Sequence, residues 1–538
     1  MKKIIFNILI FFGCFLLLLT SIGAVLIIAP GMELLGLMYI RSTSGNIDKT
    51  EFVSDATGYK SIQINSNNIP VVIEFVQSYS LTVNLVEDYN GFARAGAEPS
   101  VDVISTGEDI VINSHEYKPF LGYSRGETSG LYVKIPMYYT NNIIVNSNKS
   151  SVLFSGQRVV LNDITINASG KINFNNNMDM HSLVLNFGNK RAIISDNVNL
   201  NGTIYATSKR GSLTTPAGFT GSLNFTSTTG DLICADCGQL TFKSKTGRIK
   251  SNGSLPHIMG DAYIETSATA TLGRVDGSLV AYTKNGNITV GAEGETYTNR
   301  TEINTSRGSV TMKGTYTNVE NNIKTKTGKI NIDSASNIQV SSGRGVVTIN
   351  NISSSKITTK NGKIRVNNAD NTILETGAGL VSVGGENQSV SNLLITTKSG
   401  KVVVSEACTG EFNIKTTSGS VDFTQKKGED AKLTIVSKKG AVKLTNITGE
   451  TNVTTSGKIN ATLLSLTKPV VLNGKNKAVT VELKRDCLLD LSSKKKIEKA
   501  PDMITQEKTF KTVPEEGADA YLKVVTEKGK ISVLLNKD

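Results

Sequence analysis

Lysines recur at fixed distances from a repeated glycine, and this is the pattern in the sequence best suited to binding a ligand. Lys326, Lys360 and Lys398 each lie two residues before such a glycine. Amino groups aligned along one edge of a fold create a positive field that attracts anionic polymers or lipid headgroups. The spacing predicts an anion-binding ridge formed by Lys284, Lys326, Lys329, Lys360, Lys363, Lys398, Lys401 and Lys438. The alternative is a solvated edge whose lysines only oppose aggregation.

Two short strings have the spacing of catalytic or metal-binding motifs. Gly122-Tyr-Ser-Arg-Gly126 matches a hydrolase nucleophile elbow, which needs a strand, a turn and a helix around its serine. No helical period follows it, so we interpret it as a surface loop. Cys234-Ala-Asp-Cys237 has the spacing of a redox or metal pair. Cys234 stands where other repeats have Val, Ile or Phe, which favours a core cysteine.

The other titratable residues are not grouped for catalysis. His115, His181 and His257 lack the spacing of a metal site or a catalytic triad. Polysaccharide-cleaving enzymes and calcium sites need clustered carboxylates, and the sequence contains no Asp-Asp pair. The sequence therefore predicts no catalytic residue, cofactor or metal, and a polysaccharide-active enzyme is the weakest of the functions considered.

The lysines are positioned by short strands of an internal repeat. The segment 323–332, Ile-Lys-Thr-Lys-Thr-Gly-Lys-Ile-Asn-Ile, returns at 357–366 as Ile-Thr-Thr-Lys-Asn-Gly-Lys-Ile-Arg-Val. Apolar residues stand two and four positions after each glycine, which indicates a strand with one buried face. We expect the glycine to occupy a turn and to take a positive φ.

A repeat of 17–23 residues has no room for a crossover helix. Each strand must then stack on the equivalent strand of the next repeat, because one repeat cannot bury its apolar face alone. The sequence predicts an all-β fold, an elongated parallel β-solenoid or β-helix. In this fold Ile364 packs inward between Val347 and Val381, and Arg365 faces solvent.

The N-terminus predicts a membrane anchor. Lys2 and Lys3 precede an uncharged apolar run over residues 4–29, which is long enough to cross a bilayer as a helix. The positive-inside rule places the N-terminus in the cytoplasm and the bulk of the chain outside the cell membrane. A cleavable signal peptide is the alternative.

These patterns divide the chain into five segments. Residues 1–29 hold the anchor, 30–50 form a linker, 51–144 form an irregular β region that caps the first coil, 145–481 form the solenoid, and 482–538 form a C-terminal cap. Caps are expected because a terminal coil otherwise exposes unpaired backbone and apolar side chains. Five cysteines, an odd number, argue against a disulfide framework, so stacking itself must stabilise the fold.

Several repeat units are similar to those of a known family. Thr-Thr-Ser-Gly-Ser-Val-Asp-Phe at 416–423, Thr-Lys-Thr-Gly-Lys-Ile-Asn-Ile at 325–332 and the lead-in Leu-Tyr-Val-Lys-Ile-Pro at 131–136 resemble the bacterial DUF4097 adhesin-like β-repeat family. The resemblance spans roughly residues 60–480. It implies an extracytoplasmic, single-layer β-solenoid associated with bacterial membranes and envelope functions. It assigns no catalytic residue to this chain.

The sequence as a whole predicts a membrane-anchored, non-enzymatic, adhesin-like solenoid with a net charge of +12. Its expected partner is an anionic cell-wall polymer, a glycan or a surface protein, and no nucleic acid is expected. The first alternative is a structural scaffold of the bactofilin kind, in which β-helices join end to end. Irregular segments at both ends argue against it, because they would block such stacking.

Overall fold

The described residues fold mainly into β-strands, as the alternation of apolar and polar residues predicts. The computed structural model describes residues 12–20, 40–94, 99–117, 121–318, 320–502, 506–512 and 520–536. Two units are distinguished, Met1–Cys234 and Ala235–Asp538, and each is described by itself.

The predicted anchor falls mostly outside the described residues. Residues 12–20 are helical, and the rest of the apolar run over 4–29 is not described. Within the described part of the chain, no helix has both the length and the apolar character needed to cross a membrane.

The first unit stacks its coils in parallel. Its described strands are β1 Ile40–Val53, β2 Ser61–Ser66, β3 Val71–Val76, β4 Leu81–Arg94, β5 Ser100–Ser105, β6 Asp109–His115, β7 Leu121–Arg125, β8 Gly130–Pro136, β9 Asn142–Ser147, β10 Val152–Gly156, β11 Val159–Ala168, β12 Ile172–Phe174, β13 Met178–Phe187, β14 Ala192–Ile194, β15 Val198–Ser208, β16 Leu213–Thr214, β17 Ser222–Ser227 and β18 Leu232–Cys234. One sheet joins β9, β11, β13, β15 and β17 in that order. The other joins β10, β12, β14, β16 and β18.

Parallel stacking begins earlier in the chain than predicted. β2 and β3 form a coil that pairs with β9 and β10 on one side and with β6 and β8 on the other. Antiparallel strands β4 and β5 then pair with β8 and β6. The coils thus start at residue 61, inside the segment that the sequence assigned to an irregular cap. Their order in space differs from their order in the chain, and this hides the repeat spacing.

A buried charge cluster lies among these N-terminal strands. Arg125 Nη2 lies 3.0 Å from Glu87 Oε1 and 3.9 Å from Glu116 Oε2. The same Glu116 accepts hydrogen bonds at its Oε1 from the backbone amides of residues 67–69, at 2.6–3.0 Å. Buried carboxylates are retained when such partners compensate their lost hydration. The cluster therefore ties the turn after β2 to the strands that cover it.

The second unit repeats the same plan more regularly. Its described strands are β19 Asp236–Cys237, β20 Gln239–Ser244, β21 Ile249–Ser251, β22 His257–Ile258, β23 Ala262–Thr266, β24 Ala270–Thr271, β25 Arg274–Val275, β26 Leu279–Thr283, β27 Ile288–Val290, β28 Thr296–Tyr297, β29 Thr301–Thr305, β30 Val310–Tyr316, β31 Asn322–Thr325, β32 Ile330–Ser336, β33 Gln339–Ser342, β34 Val347–Ser353, β35 Lys356–Thr359, β36 Ile364–Asp370, β37 Thr372–Thr376, β38 Val381–Val383, β39 Leu393–Thr397, β40 Val402–Ala407, β41 Gly410–Thr416, β42 Val421–Gln425, β43 Ala431–Ser437, β44 Val442–Ile447, β45 Thr451–Thr455, β46 Ile459–Leu463, β47 Val470–Gly474, β48 Val479–Leu483, β49 Leu488–Ser493, β50 Thr509–Lys511, β51 Tyr521–Thr526 and β52 Ile531–Leu535.

Each regular coil of this unit gives one strand to a leading sheet, before the repeated glycine, and one to a trailing sheet, after it. In the leading sheet β31, β33, β35 and β37 pair in parallel, and in the trailing sheet β32, β34, β36 and β38 do so. Val347, Ile364 and Val381 are aligned in register on successive trailing strands and are fully buried. The predicted parallel β-solenoid, with its inward positions, is confirmed.

Four consecutive turns from a trailing strand to the next leading strand, those after β32, β34, β36 and β38, use a left-handed residue. Asn337, Ser354, Asn371 and Asn392 have φ values of 57°, 48°, 45° and 50°. Asparagine tolerates this region better than most residues do. We call this turn the asparagine corner, to distinguish it from the corner that carries the repeated glycine.

At the end of the second unit the order of the strands in space also differs from their order in the chain. β51 and β52 stack in parallel on β47 and β48, and β49 pairs with the outer side of β51. β50 then pairs with β49 in the antiparallel sense. The segment around Gly529 thus forms a regular coil within residues 482–538, which the sequence predicts to be a cap.

Candidate functional site

The predicted lysines lie on the turn between the leading and trailing sheets, which we call the glycine corner. Its sequence is Thr/Ser-x-x-Gly, and the first and last of these residues are buried. Thr359 Oγ1 donates a hydrogen bond to the carbonyl of Gly362 at 2.8 Å, and in another coil Gly328 N donates to Thr325 Oγ1 at 2.9 Å. The hydroxyl satisfies backbone groups inside the turn. The two middle residues are left to face solvent.

The glycines are required because successive corners stack closely. A Cβ on Gly362 would lie 2.0 Å from the carbonyl oxygen of Gly345, and one on Gly328 would lie 1.9 Å from that of Gly308. The φ angles of these glycines lie outside the left-handed region. The predicted positive φ is therefore wrong, and the close approach of one coil's backbone to the next explains the residue.

All eight predicted lysines are exposed and lie on the glycine corner: Lys284, Lys326, Lys329, Lys360, Lys363, Lys398, Lys401 and Lys438. They do not occupy every coil. Gly343 takes the equivalent position on the coil between Lys326 and Lys360, as the backbone hydrogen bonds of this corner show. Neighbouring coils of a parallel sheet are ~4.8 Å apart, so equivalent lysines are about 9.6 Å apart.

Between residues 284 and 458, four further basic residues lie on the same corner. Arg307 and Arg344 directly precede their glycines, Lys439 follows Lys438, and Lys458 follows Gly457. Sequence reasoning did not include the two arginines or Lys439, because it considered only lysine at two positions. Counting either basic residue at all three outward positions of the turn would have found them. We call these twelve residues the basic corner.

The basic corner has almost no compensating acid. Between residues 284 and 458, no Asp or Glu occupies an outward position of the glycine turns. Lys401 Nζ lies 3.8 Å from Asp422 Oδ2, and among the described residues no other ion pair involves a basic-corner side chain. The positive fields of neighbouring coils therefore add along this edge.

Two depressions of the second unit lie beside the asparagine corner. They have volumes of about 470 and 450 Å³ and are lined mainly by Asn, Ser and Thr side chains. Asn368 Nδ2 donates to Asn351 Oδ1 at 2.8 Å, and Asn351 Nδ2 donates to Ser334 Oγ at 2.9 Å. These side chains form ladders along the coils, so part of their hydrogen-bonding capacity is used within the fold.

Neither motif-like string has the surroundings that its motif requires. Ser124 lies on β7, which is antiparallel to β4 and leads through a turn into β8 rather than into a helix. Cys234 and Cys237 are buried. Burial, reinforced by the Asp236 carboxylate, raises the pKa of Cys237 to about 12. This thiol is protonated at neutral pH, which makes it a poor nucleophile and metal ligand.

His257 has a partner that the sequence did not indicate. Its Nε2 lies 2.8 Å from Asp276 Oδ2, and Arg274 hydrogen-bonds to the same carboxylate. Burial acts to raise the pKa of Asp276, but the hydrogen bonds from Arg274 and His257 outweigh it and lower the pKa. Asp276 lies 19 residues further along the chain, so no short spacing in the sequence marks this pair. The described residues contain no group of three or more His, Cys, Asp or Glu placed to hold a metal ion.

Residues 369–534 match the model of a family described as "Toastrack DUF4097". A solved "putative cell adhesion protein" from Clostridium sporogenes ATCC 15579 is 8% identical, with a TM-score of 0.20, and the alignment covers 46% of this chain and 99% of that one. A "putative adhesin" from Parabacteroides merdae ATCC 43184 is 11% identical, with a TM-score of 0.17, covering 65% of this chain and 95% of that one. No curated protein was found to match. TM-scores this low support no argument, whereas the family match confirms, over residues 369–534, the resemblance to DUF4097 that the repeat units indicated.

Proposed function

We propose that this protein is a membrane-anchored, extracytoplasmic, non-enzymatic solenoid that binds an anionic polymer of the cell envelope through its basic corner. One observation carries the proposal. Twelve basic side chains share one edge of the second unit, with a single ion pair among them. An edge that served only for solubility would be equally well served by mixed charges.

A row of charges binds a polymer better than it binds a single small anion. One exposed ion pair contributes only about 0–1 kcal/mol. Several pairs to the same polymer add, because the first contact holds the others at a high effective concentration. Release of counterions adds a favourable term that falls as the salt concentration rises. The basic corner lies on exposed turns, and this suits a polymer more than an enclosed small ligand.

Replacing three corner lysines should weaken binding without destabilising the fold. We expect the full-length chain in detergent to bind teichoic acid, and Lys326→Gln, Lys360→Gln and Lys398→Gln together to weaken that binding about tenfold at low salt. These side chains are exposed and make no ion pair among the described residues, so the thermal melt should stay unchanged. Titration at several salt concentrations measures both effects.

The matched control removes three charges from elsewhere in the same unit. Lys426, Lys427 and Lys468 are exposed in the turns that follow β42 and β46, away from the glycine corner. We call them the control lysines, and their triple glutamine variant should bind as the parent does. Equal weakening by both triple variants would show that net charge alone is responsible. Binding that does not depend on salt would refute the proposal.

The proposed topology rests on Lys2 and Lys3 ahead of the apolar run over 4–29. The structure places residues 40–50 of the predicted linker in β1, which pairs with β4, so protease added to intact spheroplasts should cut between the apolar run and β1 and release a C-terminal epitope from the membrane fraction. A cytoplasmic marker protein should stay intact in the same sample. The same digestion is repeated with detergent, which lets the protease reach both sides of the membrane. If the epitope is released only when detergent is present, the proposed orientation is wrong.

A further inference from the structure

We infer that the basic corner binds a linear polyanion lengthwise, with its charged groups held at every second coil. This inference rests on the proposed function and specifies the shape of the partner. The proposed ligand is a flexible chain that carries phosphate or carboxylate groups at short, regular intervals. The alternative class of partner, an anionic membrane surface, is tested below.

The first observation is a two-coil period in the lysines that stand two residues before the corner glycine, with Arg344 as an additional charge on one intervening coil. Lys326, Lys360, Lys398 and Lys438 occupy equivalent positions on alternate coils. The coils between them carry uncharged residues at the same position, Gly343, Gly377 and Thr417. Like charges placed directly opposite on adjacent strands repel one another. Alternation keeps the lysines about 9.6 Å apart, and a ligand charge can then approach each one separately.

The second observation is that a lysine often stands on each side of the same glycine. Lys360 and Lys363 flank Gly362, and the coils of Lys326 and Lys398 carry the same arrangement with Lys329 and Lys401. Both lysines of a pair extend from a backbone fixed by the stacking of the coils. Each pair can hold one anionic group from two sides. We call these three pairs the lysine clamps.

The third observation is the length of the row. Ten corner glycines from Gly286 to Gly457 stack one on the next, each approaching the carbonyl of its predecessor. Nine spacings of ~4.8 Å make a row of about 43 Å. A chain lying along this row meets several clamps, whereas a chain crossing it meets one. Weak individual contacts therefore favour the lengthwise arrangement.

Affinity should depend on the length of the ligand. The probe is linear inorganic polyphosphate, sorted into fractions whose extended length runs from below one clamp spacing to beyond the whole row. Binding to the full-length chain in detergent is measured by competition against a fluorescent long fraction. The dissociation constant, expressed per phosphate, should fall at least tenfold as the extended length approaches about 43 Å, and should then level off.

A charge relocation tests the two-coil period itself. Lys398→Thr combined with Thr417→Lys keeps the net charge and moves one lysine onto the coil next to Lys438. Both positions are exposed, so the melt should not change. We expect about two- to fivefold weaker binding of the long fraction, with little change for the short one. Equal binding of the long fraction by parent and relocated variant would overturn the period.

The failures of the two proposals are distinguishable. If no anionic polymer binds in a salt-sensitive way, the proposed function fails. If long polyphosphate binds with salt sensitivity but short fractions bind equally well per phosphate, only the lengthwise arrangement fails. If vesicles of phosphatidylglycerol bind the basic corner while polyphosphate of every length does not, the partner is a membrane surface and the inference is overturned.

Discussion

Ile364→Asp should prevent the solenoid from folding stably, and Arg365→Asp should have little effect. Ile364 is fully buried and lies in register between Val347 and Val381 on the neighbouring trailing strands. An aspartate here would lose its hydration without gaining a partner, at a cost of several kcal/mol, about 3–5. Arg365 is the next residue and faces solvent. Circular dichroism melts of the two variants provide the comparison.

Comparing the two variants separates the effect of the side chain's position, inward or outward, from the effect of the added charge. Both substitutions introduce aspartate into β36, one residue apart, so they differ mainly in the side of the sheet that receives it. If the two variants melt at the same temperature, the register assigned to the trailing sheet is wrong.

Gly362→Ala should destabilise the second unit by about 3 kcal/mol, which is large for the addition of one methyl group. Its Cβ would lie 2.0 Å from the carbonyl oxygen of Gly345, a backbone atom that cannot rotate away. The coils would have to separate locally, and their backbone hydrogen bonds would lengthen. Chemical denaturation of the parent and the variant measures the loss.

Gly385→Ala is the matched control. A Cβ there would meet only Gln388 Cγ at 3.8 Å, an ordinary contact, and its φ lies outside the left-handed region. Alanine should be neutral at this site or should stabilise by up to about 1 kcal/mol, by restricting the unfolded chain. A similar loss of stability for both alanine variants would contradict the stacking explanation of the corner glycines.

The inward positions could be predicted because, in a parallel stack of coils, residues that recur at the repeat spacing lie next to one another on neighbouring strands. Ile330, Val347 and Ile364 are equally spaced in the chain, and they are the residues that pair across β32, β34 and β36. An apolar residue two places after each glycine therefore predicts a buried column directly. No knowledge of the corner geometry is needed for this step.

The reason for the glycine could not be predicted, because a turn glycine usually signals a positive φ. Here a side chain is excluded by the preceding coil, because Gly362 lies close to the carbonyl of Gly345. The order of the N-terminal coils was hidden for a related reason. β2 pairs with β6 and β9, which come much later in the chain. Ser61 pairs with Asp109, 48 residues later, and with Asn142, 81 residues later. No short period marks such a contact.

The position and exposure of the eight lysines follow from the sequence, but their relation along the corner does not. Lys326 and Lys360 were expected along one edge of the fold, and the hydrogen bonds of Gly343 place a full coil between them. Arg344 lies on that intervening coil, one residue from the position that was searched. The pairing of residues between neighbouring coils, and not only the spacing of lysines in the sequence, is needed to see which charges are adjacent.

The measurement that tests the central claim most directly is lysine acylation followed by peptide mass spectrometry, with and without bound teichoic acid. It needs no substitution, and it reports each amino group of the full-length chain separately. Bound polymer should slow the acylation of Lys326, Lys360 and Lys398 severalfold, while the control lysines react at unchanged rates. If the polymer protects the control lysines equally, or leaves the basic corner unprotected, the basic corner is not the binding site.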